Sequence, residues 1–171
     1  MSRIDIGKGW NVLIDAILEL RLSGDFAGKR VLFVGYGEQA EMLNEKINDL
    51  DLSDCCYYLG PKTHRELSEL YNQADIMIFP TMLYESLGLV GIEAMACGCP
   101  VIGSDIGCLP EYIKEGITGF LFEPGNSHEL AERIVDFYKL TEKQRNTMRL
   151  EAIRYVCLLY TSPSPRDRSL S

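Results

Sequence analysis

The sequence predicts an α/β fold built on a doubly wound parallel sheet of about five strands. Short apolar runs closed by glycine or proline, such as "RVLFVG" at 30–35, carry no polar face and read as strands buried on both sides. Between them stand segments whose apolar residues recur at helical spacing. The two patterns alternate from residue 9 to 140, which calls for parallel strands joined by right-handed crossovers.

Each element follows in order. "WNVLIDAILELRL" puts Val12, Leu13, Ala16, Ile17 and Leu20 on one helix face, and "RVLFVG" is the first strand. "EQAEMLNEKINDL" reads as a helix and "CCYYLG" as a short strand. "THRELSELYNQA" is a helix opened by Thr63, with Glu66 three residues on completing a capping box. "DIMIFP" (strand), "LVGIEAMACG" (helix), "PVIGSD" (strand), "LPEYIKEG" (short helix) and "GFLFEP" (strand) follow. "SHELAERIVDFYKL" closes the series as a helix, with Ser127 expected as its N-cap and Glu129 in the first turn. In such a sheet ligands bind outside the carboxyl ends of the strands. The loops to inspect are those after Val34, Leu59, Phe79 and Ile102, and the residues before the first helix.

Composition narrows the function. The chain has 171 residues, 46% hydrophobic and 25% charged, enough for one domain with a real core. A formal net charge of -8 argues against nucleic acid as a partner, and a small anionic ligand would need its own local cations. Six cysteines without a C-x-x-C pair, and two histidines remote from them, read as buried thiols and not a metal site. No apolar run reaches membrane-spanning length and no signal-peptide layout opens the chain, so a cytoplasmic setting is expected.

The last residues break with this pattern. "CLLYTSPSPRD" resembles the in-frame translation of a transposase adapter used to prepare sequencing libraries. Residues 157–171 are therefore set apart from the domain at 1–156, with an ordinary disordered tail as the alternative. On the adapter reading, the natural protein continues differently beyond Val156 and the chain is truncated there.

Two segments carry chemistry. "VLFVGYGEQA" holds Gly35-x-Gly37-x-x-Ala40 between a strand and a helix, close to a dinucleotide-binding turn. A nicotinamide site also wants an acid at the end of the next strand, but that strand ends "YYLGPK". An NAD-dependent oxidoreductase is thus the weaker alternative, and the glycines are accounted for by a tight turn where backbone meets ligand or helix. "DLD" at 49–51 precedes a strand and reads as helix-end and turn chemistry, with no metal.

The second segment is "FPTMLYESLGLVGIEAMACGCPVIGSDIGCLPE". Between Glu85 and Glu93, "SLGLV" runs from loop into a helix expected to begin near Leu89. A helix N-terminus beside Gly88 offers free N–H groups to a diphosphate, and glycine lets the ligand approach. Glu93, about one turn inside, can accept from the vicinal hydroxyls of a ribose, while Glu85 lies where a sugar would sit. Two carboxylates beside a phosphate site make sense if each holds hydroxyl groups and the backbone holds phosphate.

These residues carry a family resemblance. "ESLGLVGIEAMACGCPVI" resembles the E-x7-E signature of retaining glycosyltransferases of the GT-B fold, family 4 (glycosyl transferases group 1). "PTMLYE", "YLGPKTHRELSELYNQADIMIFP", "GITGFLFEPGN" and "RIDIGKGW" are similar to its flanking blocks, in order, over about residues 2 to 140. The resemblance implies the Rossmann-like second half of a GT-B fold, taking a nucleoside diphosphate sugar as donor without a bound metal or other cofactor. It implies that Arg3 and Lys8 neutralise the leaving diphosphate, that Glu85 holds the donor sugar and that Glu93 holds the ribose. It further implies that Ser86, Leu87, Gly88, Leu89 and Val90 line sugar and phosphate with their backbone. Gly35 and Gly37 would form the pocket floor, and Gly60 and Pro61 would lie along the base.

The pattern has departures: Gly7 stands where a glutamate is common, Cys108 follows Gly107 in place of a second glycine, and Thr81 replaces a serine. The acceptor, a sugar or lipid-linked glycan, would meet an N-terminal domain absent from this chain. That domain would also decide any peripheral membrane contact. Alone, the chain is expected to bind donor weakly and to turn it over negligibly. A glycosidase using Glu85 and Glu93 explains neither Arg3 and Lys8 nor the parallel layout. A non-catalytic nucleotide-binding or interaction domain is the alternative from another class.

Overall fold

A computed structural model describes residues 2–161, with side chains for 4–159. The strands are β1 (Ser2–Arg3), β2 (Val31–Phe33), β3 (Gly35–Tyr36), β4 (Cys56–Tyr58), β5 (Met77–Phe79), β6 (Val101–Ser104) and β7 (Gly119–Phe122). The helices are α1 (Trp10–Ser23), α2 (Ala40–Asp49), α3 (His64–Gln73), α4 (Leu89–Ala96), α5 (Leu109–Tyr112), α6 (Ser127–Lys139) and α7 (Glu142–Thr161). Every strand pairing is parallel, as the alternation requires: β1 with β3, β2 with β4, and β5–β6–β7 in one ladder.

The expected first strand is broken. At Val34 the run changes partner, β2 pairing β4 and β3 pairing β1, so in place of one five-stranded sheet there are seven short strands in three separately hydrogen-bonded parallel groups. Strand β1 had no apolar run to announce it. It is defined by backbone pairing to Gly35 and Tyr36, continued by the Ile4 N–H to the Tyr36 carbonyl at 2.8 Å.

The helices cover both faces. On one, α1, α2 and α6 bury Val12, Leu13, Ile17, Leu43, Ile47, Leu130 and Ile134 against Phe33, Ile102 and Phe120. On the other, α4, α5 and α7 bury Ala94, Met95, Leu109, Tyr112, Ala152 and Val156 against Phe79 and Val101. The Thr63–Glu66 capping box forms in both directions. Asp49 ends α2 and Asp51 takes φ 54°, so "DLD" is the turn expected of it.

Two expectations are corrected. The cap of α6 is Asn126, not Ser127: its side chain accepts from the Glu129 N–H at 3.0 Å. Asn caps as well as Ser and stands one residue earlier, and the Glu129 carboxylate turns back to the Glu123 N–H at 2.8 Å. Helix α7 was not anticipated, and it runs through Thr161, into the segment set apart as a tail. Thr141 and Gln144 open it with reciprocal capping bonds, and Met148, Ala152 and Val156, four residues apart, bury one face. Cys157, Leu158 and Leu159 continue the helix but stay exposed. Among the described residues no helix is long and apolar enough to cross a membrane.

Candidate donor-binding site

The carboxyl ends of β1, β3 and β5 and the start of α4 meet at one place. After β1, Asp5 caps a single 3₁₀ turn at Ile6–Lys8 by accepting the Lys8 N–H at 3.2 Å, and Gly9 ends the turn in a left-handed conformation. A Cβ on Gly9 would collide with the Pro80 carbonyl, so this glycine lets the turn lie on the chain leaving β5. The Met82 N–H to the Gly7 carbonyl at 2.8 Å completes the joint.

This docking brings Lys8 to Glu85. The Lys8 ammonium pairs with Glu85 Oε1, and the two side chains are 24% and 17% exposed. Two expected site residues distant in sequence are thus in direct contact. Thr81, fully buried, stands behind the pair, its Oγ1 3.3 Å from Glu85 Oε1, 3.3 Å from the Leu83 carbonyl and 3.4 Å from the Gly7 carbonyl. The Glu85 main chain is pinned from the other side. Its carbonyl accepts the Cys108 N–H at 2.9 Å, and a Cβ on Gly107 would meet Glu85 N at 2.7 Å.

Helix α4 begins at Leu89, with Gly88 at φ 55° as N-cap and no side chain capping it. The Gly91 N–H turns back to the Gly88 carbonyl at 2.9 Å, which leaves the Leu89 and Val90 N–H groups of the first turn to meet an anion. Ser86, Leu87 and Leu89 are exposed and Val90 is half-buried, while Gly88 between them is buried beside Tyr112 and Cys108. Tyr112 braces the turn by donating to the Gly88 carbonyl at 3.2 Å, and a Cβ on Gly88 would meet its hydroxyl oxygen at 2.8 Å. Burial, with Cys108 and Glu85 adding charge, raises the Tyr112 hydroxyl pKa, so it stays a donor.

Glu93 lies one turn inside α4, half-buried, with no ion-pair partner among the described residues. It is close enough to Tyr71 of α3 to help burial, the larger cause, push that phenol up to about 12. The two carboxylates therefore differ: Glu85 is neutralised by a lysine, and Glu93 is not.

The glycine turn is explained mostly by its own scaffold. A Cβ on Gly37 would run into the backbone of Ile4, including Ile4 N at 2.8 Å, so Gly37 admits β1. Gly35 donates to the Gly60 carbonyl at 3.1 Å and accepts from the Tyr58 hydroxyl at 3.0 Å, which sets Gly60 and exposed Pro61 beside the turn. Trp10 Nε1 donates to Gln39 Oε1 at 2.9 Å and ties α1 to the same loop. The Arg3 backbone pairs with Tyr36, while its side chain lies outside the described residues. Sequence reasoning missed the bracing Tyr112 and the coupling role of Thr81. The signals for Thr81 were a hydroxyl at an otherwise apolar strand exit and its place at the serine position of the block that ends in Glu85.

The fold is an α/β domain with parallel strands, of the type found in GT-B glycosyltransferases. Residues 1–154 match the model of the glycosyl transferases group 1 family, and the chain belongs to that family. It is 35% identical over 117 residues to N-acetyl-alpha-D-glucosaminyl L-malate synthase of Bacillus anthracis, covering 68% of this chain and 30% of that protein. Anabaena HepE in complex with UDP-glucose superposes with a TM-score of 0.80 at 28% identity, over 91% of this chain and 42% of that one. Sucrose-phosphate synthase from Thermosynechococcus elongatus gives 0.82 at 28% identity, over 94% and 40%. The chain spans about a third of the length of the curated relatives it matches.

Proposed function

We propose that this chain is the donor-binding part of a retaining glycosyltransferase of family 4, holding a uridine diphosphate hexose for transfer to an acceptor hydroxyl. The observation that carries the proposal is the Lys8–Glu85 pair set beside the uncapped N-terminus of α4. One ammonium and a row of N–H groups suit a departing diphosphate, and the adjoining carboxylates suit hydroxyl groups. The presence of UDP-glucose in the Anabaena relative supports uridine as the base. Arg3 and Lys8 would take the diphosphate, Glu93 the ribose, Glu85 the sugar, and the backbone of 86–90 the phosphate and sugar edge. These groups supply the positive charge without a metal ion. The acceptor, a sugar or lipid-linked glycan, would bind a domain outside this chain, in the cytoplasm or at a membrane surface. On its own the chain would bind donor weakly and scarcely turn it over.

Thermal unfolding in the presence of UDP, GDP, ADP and NAD tests this directly. UDP at about 100 times its dissociation constant should add about 2.7 kcal/mol, a shift of several degrees for a domain of this size. The shift should vanish in Glu93→Ala. An undiminished shift in that variant, stabilisation by NAD alone, or no shift with any nucleoside diphosphate would each sink the proposal.

A further inference from the structure

We infer that Thr81 is a positioning residue that takes over Glu85 when a donor diphosphate draws Lys8 away; the inference rests on the donor-binding function proposed above. Without ligand, Lys8 and Glu85 cancel one another. A diphosphate that recruits the Lys8 ammonium leaves the Glu85 carboxylate, only 17% exposed, short of its cation and beside a new negative charge. A poorly solvated carboxylate in that position needs another donor.

Thr81 is placed to be that donor. Among the described residues, Lys8 and Thr81 are the two side chains hydrogen-bonded to the Glu85 carboxylate. The single hydroxyl proton of Thr81 has three acceptors in reach: Glu85 Oε1, the Leu83 carbonyl and the Gly7 carbonyl. The Leu83 N–H donates to Oγ1 at 3.2 Å, which anchors the oxygen and leaves the proton to rotate. Gly7 can spare it, because its carbonyl already accepts from Met82 N at 2.8 Å. Leu83 is exposed, so water can serve its carbonyl.

The rest of the site is held still. The Glu85 main chain is fixed by the Cys108 N–H and by the close passage of Gly107. The exchange is then a rotation of the Thr81 O–H onto Glu85 Oε1 as the Lys8 ammonium turns to phosphate, and no proton changes owner. It keeps the Glu85 carboxylate hydrogen-bonded and aimed at the sugar hydroxyls after its cation has left. Serine can perform the same rotation; valine, of the same shape, cannot.

Calorimetric titration of the full chain with UDP tests the exchange. Thr81→Val should weaken UDP binding about tenfold, the scale of one hydrogen bond to a charged group, and Thr81→Ser should bind within about twofold of the parent. In a Glu85→Gln background, where no carboxylate needs a donor, Thr81→Val should cost less than about twofold. Thr81→Ala carries the same test should the valine variant not fold. Parent-like binding by Thr81→Val, or an equal loss in both backgrounds, overturns the role of Thr81 and leaves the donor site standing. A parent chain that binds no UDP overturns both.

Discussion

The loops at the carboxyl ends of the strands and the grooves on the flanks of the molecule use the same residue types in opposite ways. One groove, of about 530 Å³, runs between α1 and α6 past Glu19, His128 and Glu132. Another, of about 630 Å³, surrounds the turn at 24–30 with Arg21, Lys29, Arg30 and Asp54. Gly24 and Gly28 in that turn have nothing within 4 Å of a would-be Cβ, as has Gly60 at the base of the site, whereas at Gly9, Gly37, Gly88 and Gly107 a Cβ would strike another part of the chain. The charges differ too. Lys8 and Glu85 are largely enclosed, while Arg21 and Asp54 are 36% and 67% exposed. Open volume therefore marks the gaps between helices. The site is marked by backbones in close approach and by an ion pair, Lys8–Glu85, that the protein largely encloses.

The sharpest way to break this contrast is to put a methyl group on a glycine of each kind. Gly107→Ala must pay for φ 61° and for the collision with Glu85, whereas Gly28→Ala, at φ 72°, meets only open space. The first should cost about 3–4 kcal/mol, and the second about 1 kcal/mol, the cost of the left-handed backbone alone. Thermal unfolding would then show losses of about 10 °C and about 3 °C. Equal losses would mean that the close packing around Glu85 carries no stability of its own.

A smaller effect separates contact from conformation inside α4. A Cβ on Gly91 would meet the Tyr112 hydroxyl oxygen and two ring carbons at 3.1 Å, while the helix itself would prefer alanine there by about 1 kcal/mol. Gly91→Ala should thus destabilise the parent by about 1–2 kcal/mol. In Tyr112→Phe, which removes the hydroxyl, the same substitution should cost about 1 kcal/mol less. Strict additivity between the two would show that Tyr112 does not wedge against α4.

How far the sequence disclosed all this follows from which interactions are local. The helices α1 to α6, the capping box at Thr63 and the start of α4 at Leu89 were legible, because spacing and caps act over a few residues. Strand β1 was not: two residues without an apolar run become a strand only through Gly35 and Tyr36. Helix α7 was overlooked although Thr141 and Gln144 spelled its capping box, since the composition of the last residues dominated the reading of that end. At the site, Glu85 and Glu93 were visible through their spacing. That Glu85 would sit on Lys8 was not, because the pair spans 77 residues and is created by Gly9 docking on Pro80. Gly37, expected in the pocket floor, proved to be required by the backbone of Ile4.

The flank groove offers the smallest effect, and the one most sensitive to pH. His128 Nδ1 lies 2.6 Å from Glu19 Oε1 of α1, and Nε2 lies 3.8 Å from Glu132 Oε1 one turn along α6. The hydrogen bond to Glu19, then the charges of Glu19 and Glu132, raise the pKa of His128. A histidine whose pKa is higher folded than unfolded stabilises the fold fully below its unfolded value, about 6.5. That contribution fades as pH rises through the folded pKa and is absent above it. His128→Gln should therefore lower the unfolding temperature slightly at pH 5.5 and leave it unchanged at pH 8.5. The exposure of His128, 69%, and added salt should shrink the difference further. A loss of the same size at both pH values would mean that His128 acts there as a packed side chain and not as a charge, and the flank would resemble the strand-end loops after all.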